Sequence, residues 1–411
     1  MDFNDTPEEA AFRADVRRFL EANAKRRSAT ETAHRGRYIP DANMAESLAR
    51  AKEWQAKKAD AGFAAITWPK KWGGRGGSPI EQVIYNQEEA NYAVPRGVFE
   101  IGLGMCIPTM MAYGTPEQLE RHVRPALRGE EVWCQLFSEP ADLAGLRTRA
   151  ERSGDDWIIN GQKIWTSGAH FADFGIIVTR TDPNVPKHQG LTFFFLSMKS
   201  PGIEVQRIKQ ISGTSNFNEV FFTDVRVPDS QRLGNVGDGW KVSLTTLMNE
   251  RLAVGDAPGP DFDDIFALAR SLELDGGPAI RNPAVREKLA DWYVKTVGLK
   301  YTKFRTMTAL SRGQTPGPEA SITKLVSASK LQEIASYGID LMGMTGAVMD
   351  GEIAPMEAWF QEALLFAPGL RIAGGSDEIL RNIIAERVLG MPGDIRPDKD
   401  VPFRELKSGK R

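Results

Sequence analysis

Apolar residues in the first third of the chain recur at the spacing of amphipathic helices. In the first predicted helix they are Ala11, Phe12, Val16, Phe19 and Leu20. The predicted helices cover about 7–24, 41–60, a stretch from about 79 and a stretch from about 116. The last has a strong start signal, because Thr115 fits an N-cap, Pro116 the first helical position and Gln118 the capping-box partner. We therefore predict a helical domain over residues 1–130.

The pattern changes to short β-prone runs after about residue 131. Asn160-Gly161 stands between two such runs and is typical of a two-residue hairpin turn. Further predicted strands cover 174–179, 191–196, 203–205 and 220–227. Since no helical pattern intervenes, we expect an antiparallel β-barrel or sandwich over residues 131–234, and not a doubly wound sheet.

Long helical patterns return from residue 239 and predict a C-terminal four-helix bundle domain over residues 235–411. The predicted helices cover about 240–254, 262–272, 283–312 and 319–341. A final helix begins at Gly374-Gly375-Ser376, where the glycines allow positive φ and Ser376 fits an N-cap. Such a start can hold a phosphate on its free N–H groups, although an ordinary glycine-led helix start is the favoured explanation of this stretch taken alone. The fold class is α+β.

Composition narrows the class of protein. The chain has 411 residues, 41% hydrophobic and 26% charged, as in soluble globular proteins of two or three domains. A formal net charge of −2 gives no reason to expect nucleic-acid or membrane binding. Without a signal peptide or a long apolar span, we expect a cytoplasmic protein. Cys106 and Cys134 are expected to be reduced core residues, and the four histidines lack metal-ligand spacing, so no metal is expected.

Several dispersed motifs occur in one order along the chain. They are Gln135-Leu136-Phe137-Ser138-Glu139-Pro140, Lys163-Ile164-Trp165-Thr166-Ser167-Gly168-Ala169, Leu341-Met342-Gly343-Met344-Thr345-Gly346 and the Gly374 stretch. With the α–β–α domain order, they resemble the acyl-CoA dehydrogenase family over essentially the whole chain, and most of all a bacterial branch that serves steroid or unusual acyl-CoAs. The resemblance implies FAD, an acyl-CoA substrate, an electron-transfer flavoprotein or similar acceptor, and a homodimer, homotetramer or heterotetramer.

The same resemblance implies the cofactor site. Residues matching Phe137 and Ser138, next to Gln135, touch the flavin pyrimidine edge and the substrate thioester region. Trp165 would pack on the isoalloxazine and Ser167 would bond flavin N5, where a donor favours the reduced form. As alternatives, Trp165 is an inward strand aromatic and Arg270 an exposed helix arginine. The residues placed like those that reach FAD across a subunit interface are Arg270, Gly343, Ser376 and Glu378.

The catalytic base does not lie at its most common position in the family, because Gly374 stands where many members carry a glutamate. Glycine keeps the backbone N–H that polarises the thioester carbonyl but lacks a carboxylate. Another branch of the family carries its glutamate at the position of Glu250. We therefore expect Glu250 to be the base and Arg251 to contact substrate, although a simple surface pair between these two residues is the alternative.

Two further departures from the family pattern leave other functions open. The turn over 140–142 is some three residues short, and Asp377 places a negative charge beside the expected pyrophosphate. These features favour a partner subunit of a heteromeric dehydrogenase that supplies only part of an FAD site. A flavin oxidase or monooxygenase of the same fold is the other alternative.

Overall fold

The computed structural model describes residues 5–27, 43–140, 142–253, 259–311, 317–318 and 320–406, with backbone only at 250–253, 307, 310, 311 and 320. The chain forms two compact units. One comprises Met1–Ala253 together with Ile395–Arg411, and the other comprises Val254–Asp394. The predicted domain boundaries at residues 130 and 234 stay a prediction.

Five α-helices lie in the described part of residues 1–130, and three of them begin at a side-chain cap. They are α1 (Pro7–Asn23), α2 (Met44–Asp60), α3 (Pro79–Glu89), α4 (Ile107–Tyr113) and α5 (Pro116–Leu127). Thr6, Ser78 and Thr115 each form a capping box with the residue three positions on, and each is followed by proline. A π-helical turn, Gly102–Cys106, leads directly into α4.

The described strands form one sheet of eight strands and two separate two-stranded sheets. The strands in chain order are β1 (Lys25–Arg26), β2 (Tyr92–Ala93), β3 (Trp133–Leu136), β4 (Arg149–Ser153), β5 (Asp156–Ser167), β6 (Phe174–Arg180), β7 (Leu191–Ser197), β8 (Ile203–Ile208), β9 (Phe217–Pro228), β10 (Arg232–Leu233), β11 (Glu273–Leu274) and β12 (Gly277–Pro278). The two small sheets pair β1 with β2 and β11 with β12. The large sheet runs β10-β7-β6-β4-β5-β9-β8, with β3 pairing β6. Its pairings are antiparallel except that β3 and a single position of β4 run parallel to β6, which the predicted antiparallel domain did not include.

The predicted hairpin turn at Asn160-Gly161 is wrong. Both residues lie inside β5, and the chain reverses earlier, at Gly154, between β4 and β5. Gly161 instead takes φ +144° at a register shift between β5 and β9. The Asn-Gly signal marks a β-bulge here, because pairing of β5 with strands on both sides outweighs the local turn preference.

One apolar core joins helices to the sheet in the first unit. Ile107 and Met110 of α4 pack with Trp133 and Phe193 of the sheet and with Val242 of α6 (Gly239–Ala253). Cys106 and Cys134 are both free and buried, which confirms their expected place in the core. The helix α6 is thus fixed against the sheet and α4 by side chains from its first two turns.

The second unit is helical, as predicted for the end of the chain. Its helices are α7 (Phe262–Ser271), α8 (Pro283–Ser311), α9 (Ala320–Met342), α10 (Trp359–Leu370) and α11 (Asp377–Ile383), and α11 continues as a π-helical turn, Ile384–Val388. A core around Leu268, Trp292, Ile334 and Phe360 packs α7 to α10 together. Throughout the described ranges, no helix combines the length and apolar character needed to cross a membrane.

The bulge at Gly161 leads to a stability prediction. A Cβ at Gly161 would lie 2.7 Å from the Cα of Thr148, and φ is +144°, so Gly161→Ala should lower the free energy of unfolding by about 1–3 kcal/mol. Gly154→Ala is the matched control. Gly154 has φ +64° but nothing within 4 Å of its Cβ position, so only about 1 kcal/mol is expected. Urea unfolding of both variants measures the difference, and equal losses would contradict a packing role for the bulge.

Candidate active site

The first signature lies at the end of β3, where the chain leaves the sheet. Gln135 is half-buried in the strand, and Phe137 is buried with its ring edge-on to Phe193 at 5.6 Å between centroids. Ser138, the next residue, is exposed. The Phe137 ring therefore serves the core, and Ser138 is the residue whose side chain is available to a ligand.

The second signature contains a residue with an unusual backbone conformation. Trp165 has φ +59° at a register shift between β5 and β9, where Lys163 and Thr166 are the flanking paired positions. Its side chain is 54% exposed, with the ring edge-on to Phe217 at 6.0 Å. A positive φ at a bulky residue is costly, and bulges re-aim side chains near binding sites. Trp165 thus presents a large aromatic face to solvent, and exposure to solvent does not offset the strain of its backbone.

The two signatures are held together directly. The backbone N–H of Ile164 donates to the Ser138 carbonyl at 2.9 Å. Behind this contact, the Lys163 ammonium lies 2.7 Å from a Glu139 carboxylate oxygen, and the two side chains are 0% and 7% exposed. Lys163 also donates to the Phe137 carbonyl at 3.2 Å. The structure therefore places the backbone of the Ser138 segment against that of the Trp165 segment, and a shared site for these two residues stays a prediction.

The Glu139–Lys163 pair was missed in the sequence, although both residues stand inside the quoted motifs. Burial alone would raise the pKa of Glu139, but the Lys163 charge and donors from Lys163, Arg147 and Thr148 hold that pKa below its ordinary value. The donors at Arg147 and Thr148 are backbone N–H groups, 2.6 Å and 3.1 Å from the carboxylate. Glu139 is therefore charged and fastens the chain after Ser138 to the start of β4.

A second missed residue supports the bulge from β9. Asn218 is fully buried; its amide donates to the Thr166 carbonyl at 2.8 Å, and its oxygen lies 3.0 Å from Nδ1 of His170. Ser167 is half-buried beside it and pairs with Phe217 across the ladder. The backbone on both sides of Trp165 is thus held from the neighbouring strand.

The glycine turn lies in the second unit and has the predicted local geometry. Gly374 and Gly375 have φ +65° and +97°, and Ser376 is the N-cap of α11, accepting from the Ile379 N–H. The Lys324 ammonium donates to the Gly375 carbonyl at 2.6 Å. The turn is therefore fixed by a side chain from α9 as well as by its own cap.

The charge of Asp377 is not directed at a ligand as the sequence suggested. Its carboxylate is 2% exposed and lies 2.7 Å from both Nε and a terminal nitrogen of Arg371. Glu378, by contrast, is exposed, and its own backbone N–H and the Ser376 hydroxyl hold its pKa below the ordinary value. The expected repulsion of an anion by Asp377 is thus largely cancelled by Arg371.

The remaining predicted residues divide between described and undescribed positions. Arg270 is exposed in the last turn of α7, and Gly343 has φ +57° at the start of a short 3₁₀ helix, Gly343–Ala347. Glu250 and Arg251 fall in α6, but their side chains lie outside the described set, as does Ala141 of the short turn. The structure therefore assigns no geometry to the predicted base.

Family models cover nearly the whole chain. The acyl-CoA dehydrogenase N-terminal domain matches residues 6–130, the middle domain 134–225 and the C-terminal domain 237–389. The chain belongs to the acyl-CoA dehydrogenase family. Its members are FAD-dependent oxidoreductases, which makes FAD the cofactor of this acyl-CoA dehydrogenase.

Individual relatives agree with the family. The acyl-CoA dehydrogenase FadE34 of Mycobacterium tuberculosis is 38% identical over 92% of this chain, which spans about half (52%) of that relative's length. The solved Tcur3481–Tcur3483 steroid ACAD has a TM-score of 0.78 at 26% identity, covering 96% of this chain and all (100%) of that one. The ChsE4–ChsE5 complex from Mycobacterium tuberculosis gives 0.76 at 27% identity, with 96% and 100% covered.

The residues of this acyl-CoA dehydrogenase fit a flavin. An exposed aromatic ring on a strained bulge and an exposed serine lie on two segments that the Ile164–Ser138 backbone hydrogen bond joins, and a flavin offers an apolar ring with a polar rim. The two kinds of side chain match those two parts of the ligand.

The buried ion pair behind the site leads to a second prediction. Lys163→Met leaves Glu139 buried and unpaired, so the free energy of unfolding should fall by about 3–5 kcal/mol at neutral pH. Lys199→Met is the control, because Lys199 is 80% exposed in its contact with Asp173, and a loss within about 0.5 kcal/mol is expected.

The pH dependence tests the same pair. Because the folded-state pKa of Glu139 is below its ordinary value of 4.5, its stabilisation is complete above that value and is lost as pH falls through the lower folded pKa. The deficit of Lys163→Met should therefore shrink on acidification, because protonation removes the unpaired charge of Glu139 in the variant and, below about pH 4.5, wild type loses the stabilisation from its own carboxylate. A deficit that stays constant down to pH 3 in urea unfolding would show that the pair is not ionised.

Proposed function

We propose that this protein removes two hydrogens from the α and β carbons of an acyl-CoA thioester. The single observation that carries the proposal is the joined pair of signatures, with exposed Trp165 on its bulge next to exposed Ser138. FAD, when bound, supplies the acceptor for the β-hydrogen as hydride at its N5 atom. We assign the contacts to this flavin to Gln135, Ser138, Trp165 and Ser167, and to the backbone of Phe137, whose ring packs in the core.

The α-proton requires a base, and we assign it to Glu250. This residue follows the anchored part of α6, where the Thr246 hydroxyl is 2.9 Å from that of Thr109 and Thr245 is 2.9 Å from the Tyr113 hydroxyl. Thr246 lies one helical turn before Glu250, so the helix that carries the base is held in place. Glu250 takes the α-proton on its carboxylate, for which a desolvated environment and a raised pKa are needed.

A thioester α-proton becomes acidic enough only when the carbonyl oxygen is polarised. We assign this role to the backbone N–H of Gly374, in the turn that Lys324 holds through the Gly375 carbonyl. Ser138 and Arg251 complete the substrate contacts. The residues that reach the flavin nucleotide of an adjoining subunit are Arg270, Gly343, Ser376 and Glu378.

The acyl group is proposed to be a steroid-derived or similarly bulky one, because a structural neighbour is described as a steroid ACAD. The electron acceptor is proposed to be an electron-transfer flavoprotein or a similar protein. A homodimer, homotetramer or heterotetramer is expected, and the solved ChsE4–ChsE5 complex favours the mixed assembly.

The second candidate is a partner subunit that supplies only part of an FAD site. The ion pair between Arg371 and Asp377 weakens this candidate, because the charge of Asp377 was one of the two sequence features that supported it. The short turn before Asp142 remains its main support. A flavin oxidase or monooxygenase of the same fold is the third candidate and does not require Glu250.

Anaerobic titration of the purified chain with acyl-CoAs of different size tests the base. Wild type should bleach its flavin, and Glu250→Gln should keep the flavin but bleach it about 10²–10⁴ times more slowly. Glu120→Gln, on the exposed face of α5, is the matched control and should behave as wild type.

The same titration separates the candidates. Full activity in Glu250→Gln refutes the assigned base. Rapid reoxidation of the bleached flavin by air supports an oxidase, and a chain that holds no flavin until a second subunit is added supports the partial subunit.

The strained tryptophan gives an independent prediction on cofactor binding. Trp165→Gly removes the aromatic face and relieves the positive φ, so FAD affinity should fall about ten-fold while stability stays within about 1 kcal/mol of wild type or rises. Trp165→Phe retains an aromatic face and should keep most of the affinity. Fluorescence titration with FAD and thermal unfolding measure the two effects; unchanged FAD affinity in Trp165→Gly would exclude the ring from the flavin site.

A further inference from the structure

Residues 395–406, here called the returning segment, belong to the first unit, whereas the helices before them form the second. The segment binds the chain between β6 and β7. The Phe403 N–H donates to the Val185 carbonyl at 2.9 Å, and the Arg404 N–H donates to the Pro183 carbonyl at 3.0 Å. The returning segment is thus attached by its backbone as well as by side chains.

Beneath the returning segment lies a buried arginine. Arg180, the last residue of β6, is 4% exposed, and its guanidinium carbon lies 3.7 Å from the centre of the Phe403 ring. Burial lowers the pKa of Arg180 to about 10, which reflects a cation taken out of water. An aromatic face over a desolvated guanidinium is a favourable contact, so Phe403 stabilises the cation where it lies.

The donors of Arg180 all point at neighbouring backbone carbonyls. Its nitrogens donate to Ala144 at 2.6 Å, to Leu146 at 3.2 Å and to Lys187 at 2.9 Å. Its own backbone N–H donates to the Thr148 carbonyl at 2.7 Å. Arg180 therefore fastens the turn 142–147, which directly follows the first signature.

The same turn is tied to the candidate active site from its other side. The N–H groups of Arg147 and Thr148 donate to the Glu139 carboxylate, and Glu139 follows Ser138. Lys187 also connects the turn to the returning segment. Its ammonium lies 3.5 Å from Asp142 of the turn and 3.1 Å from Asp398 of the returning segment. A continuous set of contacts thus leads from Phe403 through Arg180 and the turn 142–147 to the segment that contains Ser138.

We propose that Arg180, covered by Phe403 of the returning segment, is a positioning residue for the flavin-binding segment at Ser138. The proposal rests on the proposed function of the Ser138 segment. The turn after Pro140 is short, and the returning segment supplies the rigidity that a longer turn would provide for itself. The Phe403 ring is part of this support although it lies more than 260 residues from Ser138 in the sequence.

Three variants of the complete holoenzyme test the proposal. Phe403→Ala removes the cover of Arg180, Phe403→Tyr keeps an aromatic face, and Arg404→Ala is the matched control. Arg404 is the neighbouring residue, its side chain is 62% exposed, and its backbone bond to Pro183 does not depend on the side chain.

Two measurements are made on each variant. Hydrogen exchange reports on the amides of Arg147 and Thr148, and release of FAD on dilution, followed by flavin fluorescence, reports on the site. Phe403→Ala should exchange these amides and release FAD each roughly five- to ten-fold faster, while Phe403→Tyr and Arg404→Ala stay near wild type. Exchange in β7 and β9 should not change.

Two results would overturn the proposal. One is unchanged exchange at Arg147 and Thr148 in Phe403→Ala, and the other is faster exchange spread evenly over the whole sheet, which indicates general loosening. If instead the wild-type chain holds no FAD, the proposed function fails, and the exchange measurement still decides whether Phe403 supports the turn.

Discussion

The buried ion pair between Glu139 and Lys163 is the interaction on which the candidate site depends. The net contribution of such a pair to stability is small, because desolvation of both charges offsets most of their attraction. Its value here is geometric. Lys163 stands two residues before Trp165 and Glu139 one residue after Ser138, so a 2.7 Å contact between them sets the separation of the two signatures. Neither residue can be replaced alone without leaving a buried charge.

Backbone strain at Trp165 illustrates how the sheet supports a local cost. A positive φ at a tryptophan is unfavourable by itself and persists only where neighbouring contacts determine it. Asn218 and the ladder to β9 hold the residues after the bulge, and Lys163 holds those before it. The backbone is therefore held on both sides of Trp165, whose side chain is 54% exposed.

The glycine turn shows a similar division between local and distant effects. Two glycines and a serine cap favour the turn locally, because their conformational preferences agree with it, and Lys324 adds a hydrogen bond to the Gly375 carbonyl. The charge beside the turn depends on more. From the sequence, the negative charge of Asp377 is expected to repel an anion. In the folded chain Arg371, six residues earlier, neutralises that charge. Electrostatic arguments from sequence neighbours alone miss partners of this kind.

Much of the fold follows from the sequence alone. Helix starts such as Thr115 and Ser376 are determined locally, since cap and first turn lie within four residues, and the motifs around Ser138 and Trp165 identify the family. What the sequence misjudged involves distant partners. Asn160-Gly161 prefers a hairpin turn locally, but long pairing of β5 with β4 and β9 turns it into a bulge. Likewise, only the tertiary structure brings Glu139 to Lys163 and Phe403 to Arg180, because desolvation and close contact between residues far apart in the chain arise on folding.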